Sequence, residues 1–232
     1  MQTDTAIAQF FKGTFVNSSS VIEQKLRSIK AFIFDWDGVF NNGQKNIDGH
    51  SNFSETDSMG INLMRFNHYL VNKQLPIAAI ITGENNELAF SFAKRENFNS
   101  IYYKVKHKET ALLHVCRQYN VEPFEVLFVF DDVPDLSVAK SAGLRFMVQH
   151  TGNPLLVEYV KENGLADYIT ANDGNCNALR EISELVMLLT KNFTKAIEHR
   201  MNYSEGYQAY ISLRNATGTI SFTADGNEII QQ

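Results

Sequence analysis

The sequence predicts an α/β protein of Rossmann-like kind: a central parallel sheet with helices on both faces. Short apolar runs recur along the 232-residue chain, at 31–34, 77–81, 100–103, 125–130, 144–148 and 167–169. Helical patterns separate most of them, at about 58–74, 86–96, 107–119, 134–142 and 154–163, and another follows at 176–190. Continuous apolar strands alternating with helices read as parallel strands buried on both faces. With 44% hydrophobic residues the chain can fill one sizeable core.

Residues 1–29 are polar and weakly amphipathic, and predict a helical arm on the outside of the main domain. Ala6, Ile7, Phe10 and Phe11 could share one helical face, and Ser18-Ser19-Ser20 could cap a helix over Val21–Leu26. No composition shift divides residues 30–190, which are expected to form one domain. Within it, residues 41–56 carry Asp48-Gly49, a hairpin turn signal, and predict a small β-hairpin flap. Residues 191–232 form a C-terminal extension in which Thr217–Thr223, Asp225-Gly226 and Glu228–Gln231 read as a second hairpin. An isolated hairpin is marginal in water, so this one should pack on the domain or on a neighbouring subunit.

A formal charge of -5 leaves no electrostatic footprint for nucleic acid or an anionic membrane. No apolar run approaches the roughly 20 residues of a membrane span. The N-terminus shows no basic segment followed by an apolar one. Cys116 and Cys176 lack metal-ligand spacing and read as ordinary thiols of a reduced protein. A cytoplasmic protein is the expectation.

The chain is organised around Ala31-Phe32-Ile33-Phe34-Asp35-Trp36-Asp37-Gly38-Val39. A buried strand delivers two carboxylates to the carboxyl edge of the sheet, where open α/β folds bind ligands. Three further stations end strands or open helices: Thr82-Gly83, Lys108, and Asp131-Asp132-Val133-Pro134-Asp135. Taken singly each has a plain reading, as a turn, a solvated charge run or a helix cap. In a parallel sheet they converge, and five carboxylates in one cleft need a cation, protons or basic partners. All-oxygen ligands of high negative charge favour Mg2+ among the common ions. Thr82 and the Gly83 amide offer donors to phosphate oxygens and Lys108 a positive charge. Carboxylate nucleophile, second carboxyl, divalent ion, donors and lysine together describe phosphoryl transfer through an aspartyl-phosphate.

In that order the four motifs resemble those of the haloacid dehalogenase superfamily of phosphotransferases, over residues 31 to about 188. The short spacing after the first motif, and Asp57-Ser58-Met59-Gly60-Ile61 after the flap, resemble the capless subgroup that contains 3-deoxy-D-manno-octulosonate 8-phosphate phosphatases. The resemblance implies Asp35 as nucleophile and Asp37 as acid and base. Mg2+ would be held by Asp35, Asp131 and the backbone carbonyl of Asp37. Thr82, Gly83 and Lys108 would bind the phosphoryl group, and Asp132 and Asp135 would hold metal waters or Lys108. It also implies a homotetramer in which flaps and a neighbour's tail close each site around a small phosphorylated substrate.

Two positions depart from the family pattern. Glu84 stands where relatives carry Arg and would repel an anionic sugar acid. Phe130 stands where they carry Gly and is expected to crowd the metal edge. The leading expectation is a Mg2+-dependent phosphatase of a small metabolite. The alternatives are a weakly active oligomerisation or binding module and a phosphotransferase to another alcohol.

Overall fold

The structure, a computed structural model, describes residues 7–226 and 228–232. Residues 7–10 form a helical turn, and Ala6 lies outside the described residues. The strands are β1 (Thr14–Phe15), β2 (Ala31–Phe34), β3 (Ile77–Ile81), β4 (Ser100–Tyr103), β5 (Val126–Phe130), β6 (Leu144–Met147), β7 (Tyr168–Ile169), β8 (Ile220–Asp225) and β9 (Glu228–Gln231). The helices are α1 (Ser19–Leu26), α2 (Glu55–Asn72), α3 (Glu87–Arg95), α4 (Lys108–Tyr119), α5 (Leu136–Ser141), α6 (Pro154–Glu162), α7 (Ala178–Leu189), α8 (Phe193–Met201) and α9 (Glu205–Asn215). Among the described residues, no helix is long and apolar enough to cross a membrane.

Among the described residues, nine strands join one sheet in the order β1-β7-β6-β5-β2-β3-β4-β8-β9. The pairs from β7 to β8 are parallel, and only the outermost strands, β1 on β7 and β9 on β8, run antiparallel. The sheet is therefore mixed and mostly parallel. Strand alternation divides the core in two. Phe32, Phe34, Ile80 and Val129 face one side, where Ile22 and Leu26 of α1, Met64 of α2, Phe92 of α3 and Ile182 of α7 cover them. Ile33, Ile81, Phe128 and Phe130 face the other, under Leu112 of α4, Val138 of α5 and Val160 of α6.

From β2 the chain moves outward to β3 and β4, then returns to the opposite side of β2 as β5. The strand order reverses between β2 and β5, and a crevice opens there at the carboxyl ends. Asp35 follows β2 and Asp131 follows β5, so both carboxylates stand at the switch point.

Residues 41–54 correct one expectation: they contain no strand, and the predicted hairpin flap is an irregular loop. The turn at Asp48-Gly49 does form. Asn46 N–H donates to the His50 carbonyl at 2.8 Å, and the Asn46 side chain accepts from the N–H groups of Asp48 and His50. This side chain meets donors that a ladder would otherwise need. Nor do the arms pair through an apolar face of their own: Ile47 is fully exposed, and Phe53 packs on Trp36 and Phe92 of the main body.

The chain beyond residue 190 is packed on the main body. α8 and α9 lie against α2, where Ala196, Tyr207 and Tyr210 close over Leu63 and Phe66. Tyr210 is wholly buried and donates its hydroxyl to the Asn62 carbonyl at 3.2 Å. The β8–β9 hairpin extends the sheet from the β4 edge, with Phe222 stacked on Tyr102.

Candidate active site

The site grows out of two central strand ends. Asp35 N–H continues the β2–β5 ladder to the Val129 carbonyl at 2.9 Å, so its carboxyl leaves the sheet edge beside Asp131. Gly38 then turns the chain at φ +89°, and a Cβ there would lie 1.9 Å from Asp131 Oδ2. Only glycine lets the first motif lie so close to the fourth. Gly174 plays the matching part from the loop before α7, where a Cβ would come within 2.0 Å of the Asn41 carbonyl. Asn41, buried, binds the first-motif loop together: its Oδ1 accepts from Gly38 and Gly43 N–H, and its amide donates to the Asn52 carbonyl.

Carboxylate oxygens of Asp35, Asp131 and Asp135, all buried, lie within 4.8 Å of one another. Lys108 opens α4 beneath them and donates to Asp35 at 2.5 Å and to Asp135 at 2.6 Å. Burial raises the pKa of Asp35 well above its ordinary value, and neighbouring Asp135 and Asp131 push it further against the pull of Lys108. Asp135 is raised in the same sense, again mainly by burial. Burial works against the Lys108 ammonium, but Asp35 and Asp135 outweigh it and hold its pKa above the ordinary value. One lysine therefore engages two of three clustered buried acids, and the excess negative charge fits a divalent cation. The donor set is hard oxygen throughout, which suits Mg2+.

The other expected residues fall as follows. Thr82, buried at the end of β3, and Gly83 line the cleft of about 660 Å3 with Asp35, Asp37, Lys108 and Asp131. Asp37 stands outside the three-acid cluster. Its Oδ1 accepts from Ser51 Oγ at 2.5 Å, and its Oδ2 faces Lys45 at 3.4 Å. Asp132 caps the 3-10 turn at Val133–Asp135, accepting from Val133 N–H at 2.8 Å, while Asp135 is the residue that engages Lys108. Phe130 does not crowd the metal edge. It shares strand parity with Phe128, stacks on it and points into the core under α4 and α5. Glu84 is exposed on the cleft rim, its N–H donating to Thr82 Oγ1 at 3.3 Å.

Three cleft residues escaped the sequence reading. His150 follows β6 and lies 3.0 Å from Asp131 Oδ2; that hydrogen bond, above all, raises its pKa. Its signal was available, since it also follows an apolar strand on the same sheet edge. Lys45 adds positive charge to the cleft wall from the loop after the first motif, and Lys106, which reads in the sequence as part of a solvated charge run, adds more from the loop before Lys108.

No profile of a known protein family matches the chain. The chain is 25% identical over 170 residues to the 3-deoxy-D-manno-octulosonate 8-phosphate phosphatase KdsC of Haemophilus influenzae, covering 72% of this chain and 87% of that one. The KdsC of Escherichia coli K12 is 27% identical over 174 residues, 73% of this chain and 85% of that protein. Among solved structures, the 3-deoxy-D-manno-octulosonate 8-phosphate phosphatase of Moraxella catarrhalis, in complex with magnesium ion, phosphate ion and KDO, superposes with a TM-score of 0.62. It is 28% identical over 76% of this chain and 96% of that one. The cobalt-bound Haemophilus influenzae phosphatase shares the fold at a TM-score of 0.61, with 24% identity over 73% of this chain and 94% of that one.

Proposed function

For a chain of the haloacid dehalogenase superfamily, of the capless KdsC-like kind, we propose Mg2+-dependent hydrolysis of a small phosphate monoester through an aspartyl-phosphate on Asp35. One observation carries the reading: three buried carboxylates and one lysine converge where the strand order reverses. Bound by Asp35, Asp131 and the Asp37 carbonyl, Mg2+ would neutralise the carboxylates and draw charge from the phosphoryl oxygens.

The chain's own groups do the rest. An Asp35 carboxylate oxygen attacks phosphorus while the bond from phosphorus to the ester oxygen breaks. Asp37 gives its proton to the departing alkoxide, then takes one from the water that cleaves the acyl phosphate. Lys108, with Thr82 and the Gly83 amide, holds the phosphoryl oxygens. Asp135 keeps the lysine in place. Fixed charges of this kind supply most of the catalysis in phosphoryl transfer.

The substrate proposed is a keto-deoxy sugar acid phosphate of the Kdo 8-phosphate type, supported by what the named relatives act on. Glu84 on the rim opposes an anionic leaving group, and Lys45 and Lys106 favour one. A homotetramer belongs to the same proposal and rests on the resemblance; a cytoplasmic location is proposed from the free thiols of Cys116 and Cys176. The test is release of phosphate from Kdo 8-phosphate, a panel of sugar phosphates and p-nitrophenyl phosphate, with Mg2+ and with EDTA. Turnover that EDTA abolishes is expected. No metal-dependent turnover on any substrate favours the alternative, a weakly active binding or assembly module. Transfer of phosphate to an added sugar instead of water would mark a phosphotransferase.

A further inference from the structure

Outside the four motifs, one buried polar chain runs straight to Asp37. Ser51, only 2% exposed, sits in the irregular loop after the first motif. Its Oγ accepts from the Trp36 indole N–H at 3.0 Å and from the Asn86 side-chain amide at 2.8 Å. The amide cannot be turned the other way, because Asn86 Oδ1 already accepts from Leu88 N–H at 3.0 Å as the cap of α3. Both neighbours of Ser51 are thus donors. A hydroxyl has two acceptor sites and one proton. With both acceptor sites filled, the proton can go only to the remaining partner, Asp37 Oδ1, at 2.5 Å.

We propose that Ser51, fixed by Trp36 and Asn86, is a positioning residue for Asp37: it ties down Oδ1 and leaves Oδ2 as the oxygen turned to the cleft for proton exchange with the leaving group. The inference rests on the phosphatase reading, since it needs Asp37 to act as the acid. Trp36 is wholly buried, stacked on Phe40 at 4.5 Å, and Asn86 is wholly buried too, so the anchor is rigid. The carboxyl then cannot spin about its bond to Cβ, and Oδ2 stays on the cleft side with Lys45. Geometry held within about half an ångström is what an acid needs to meet a leaving oxygen. When the bond from phosphorus to oxygen breaks, the Oδ2 proton goes to the alkoxide and Asp37 is left ionised, with Ser51 still donating to Oδ1.

The leaving group supplies a readout that mere structural damage would not move. An alkoxide needs a proton as it departs, whereas p-nitrophenolate is stable without one. The measurement is kcat/KM, which covers only steps up to the first irreversible one and so excludes hydrolysis of the acyl phosphate. The substrates are p-nitrophenyl phosphate and Kdo 8-phosphate, or the alkyl phosphate of the panel that turns over faster. Ser51→Ala is expected to lower kcat/KM on the alkyl ester by about 10²-fold, within the range of general acid catalysis, and on the aryl ester by less than a tenth as much. Ser51→Thr, which keeps the hydroxyl, should restore the alkyl rate. Should Ser51→Ala not fold, Ser51→Cys retains the shape with a weaker donor and should shift the alkyl-to-aryl ratio in the same direction, by less. Equal losses on both substrates, or an unchanged alkyl-to-aryl ratio in folded Ser51→Ala or Ser51→Cys, overturn the inference alone. A wild-type protein inactive on both substrates with Mg2+ overturns the phosphatase reading and this inference with it.

Discussion

Gly38→Ala asks whether the contact between the first and fourth motifs is what builds the site. The added Cβ would stand 1.9 Å from Asp131 Oδ2 and 2.5 Å from its Cγ, against a floor of 3.0 Å for real contacts. The carboxylate would have to retreat by 3.0 − 1.9, or about 1.1 Å. Misplacement on the order of 1 Å in a reacting constellation costs roughly 10²-fold in rate. The φ of +89° adds backbone strain of about 1–2 kcal/mol for a residue with a Cβ. The expected variant is folded, less stable by about 1–3 kcal/mol in urea, weaker in Mg2+ affinity and about 10²-fold slower. Gly43→Ala is the control. It has φ +76° but nothing nearer than 4.0 Å, so it carries the strain without the clash. Stability comes from urea denaturation, and Mg2+ dependence from initial rates across a metal titration. A Gly38→Ala enzyme with the metal affinity and rate of Gly43→Ala would refute the reasoning.

Asp57 predicts a pH dependence. Burial lifts its carboxyl from an ordinary 3.8 to about 7, against the N–H groups of Arg180 and Leu179. The fold favours the protonated form, so its contribution is whole below pH about 4, declines as pH rises towards 7, and is gone above. At most that is on the order of 4 kcal/mol. Comparing wild type with Asp57→Asn by urea midpoints from pH 4.5 to 7.5 should give a difference that changes steadily in favour of the variant as pH rises; a flat difference counts against the burial argument. Tyr210→Ala tests the extension. It removes a wholly buried ring packed on Phe66 with centroids 5.2 Å apart, and should cost about 3–5 kcal/mol. A change within about 0.5 kcal/mol, the size of an ordinary surface substitution, would mean that α9 is not part of the core.

The strands of the central sheet were legible because each is a short apolar run between turn signals, with burial on both faces. Strand ends then gave Asp35, Thr82 and Asp131, since a parallel sheet sends all its carboxyl ends to one edge. Lys108 and Asp135 followed from the loops that open the next helices. The hairpin flap was misread because Asp48-Gly49 specifies a turn and says nothing of the arms, where Ile47 is exposed and Phe53 packs on the main body instead of across the loop. Helices α8 and α9 were not placed. Their buried positions are Ala196, Tyr207 and Tyr210, residues too polar or small to give a strong helical stripe. The role expected for Phe130 failed on strand parity, which places it with Phe128 on the core side. Ser51 and Asn86 left no local signal. They meet 35 residues apart in sequence, through a loop without regular structure.

We propose above that Asp35 takes the phosphoryl group while a divalent ion offsets the gathered acids. That proposal is tested most directly by turnover of the best alkyl phosphate with Mg2+, wild type against Asp35→Asn, each repeated in EDTA. Turnover confined to the wild-type protein with metal present is the result expected. Turnover that persists in Asp35→Asn, or in wild type stripped of metal, would contradict it.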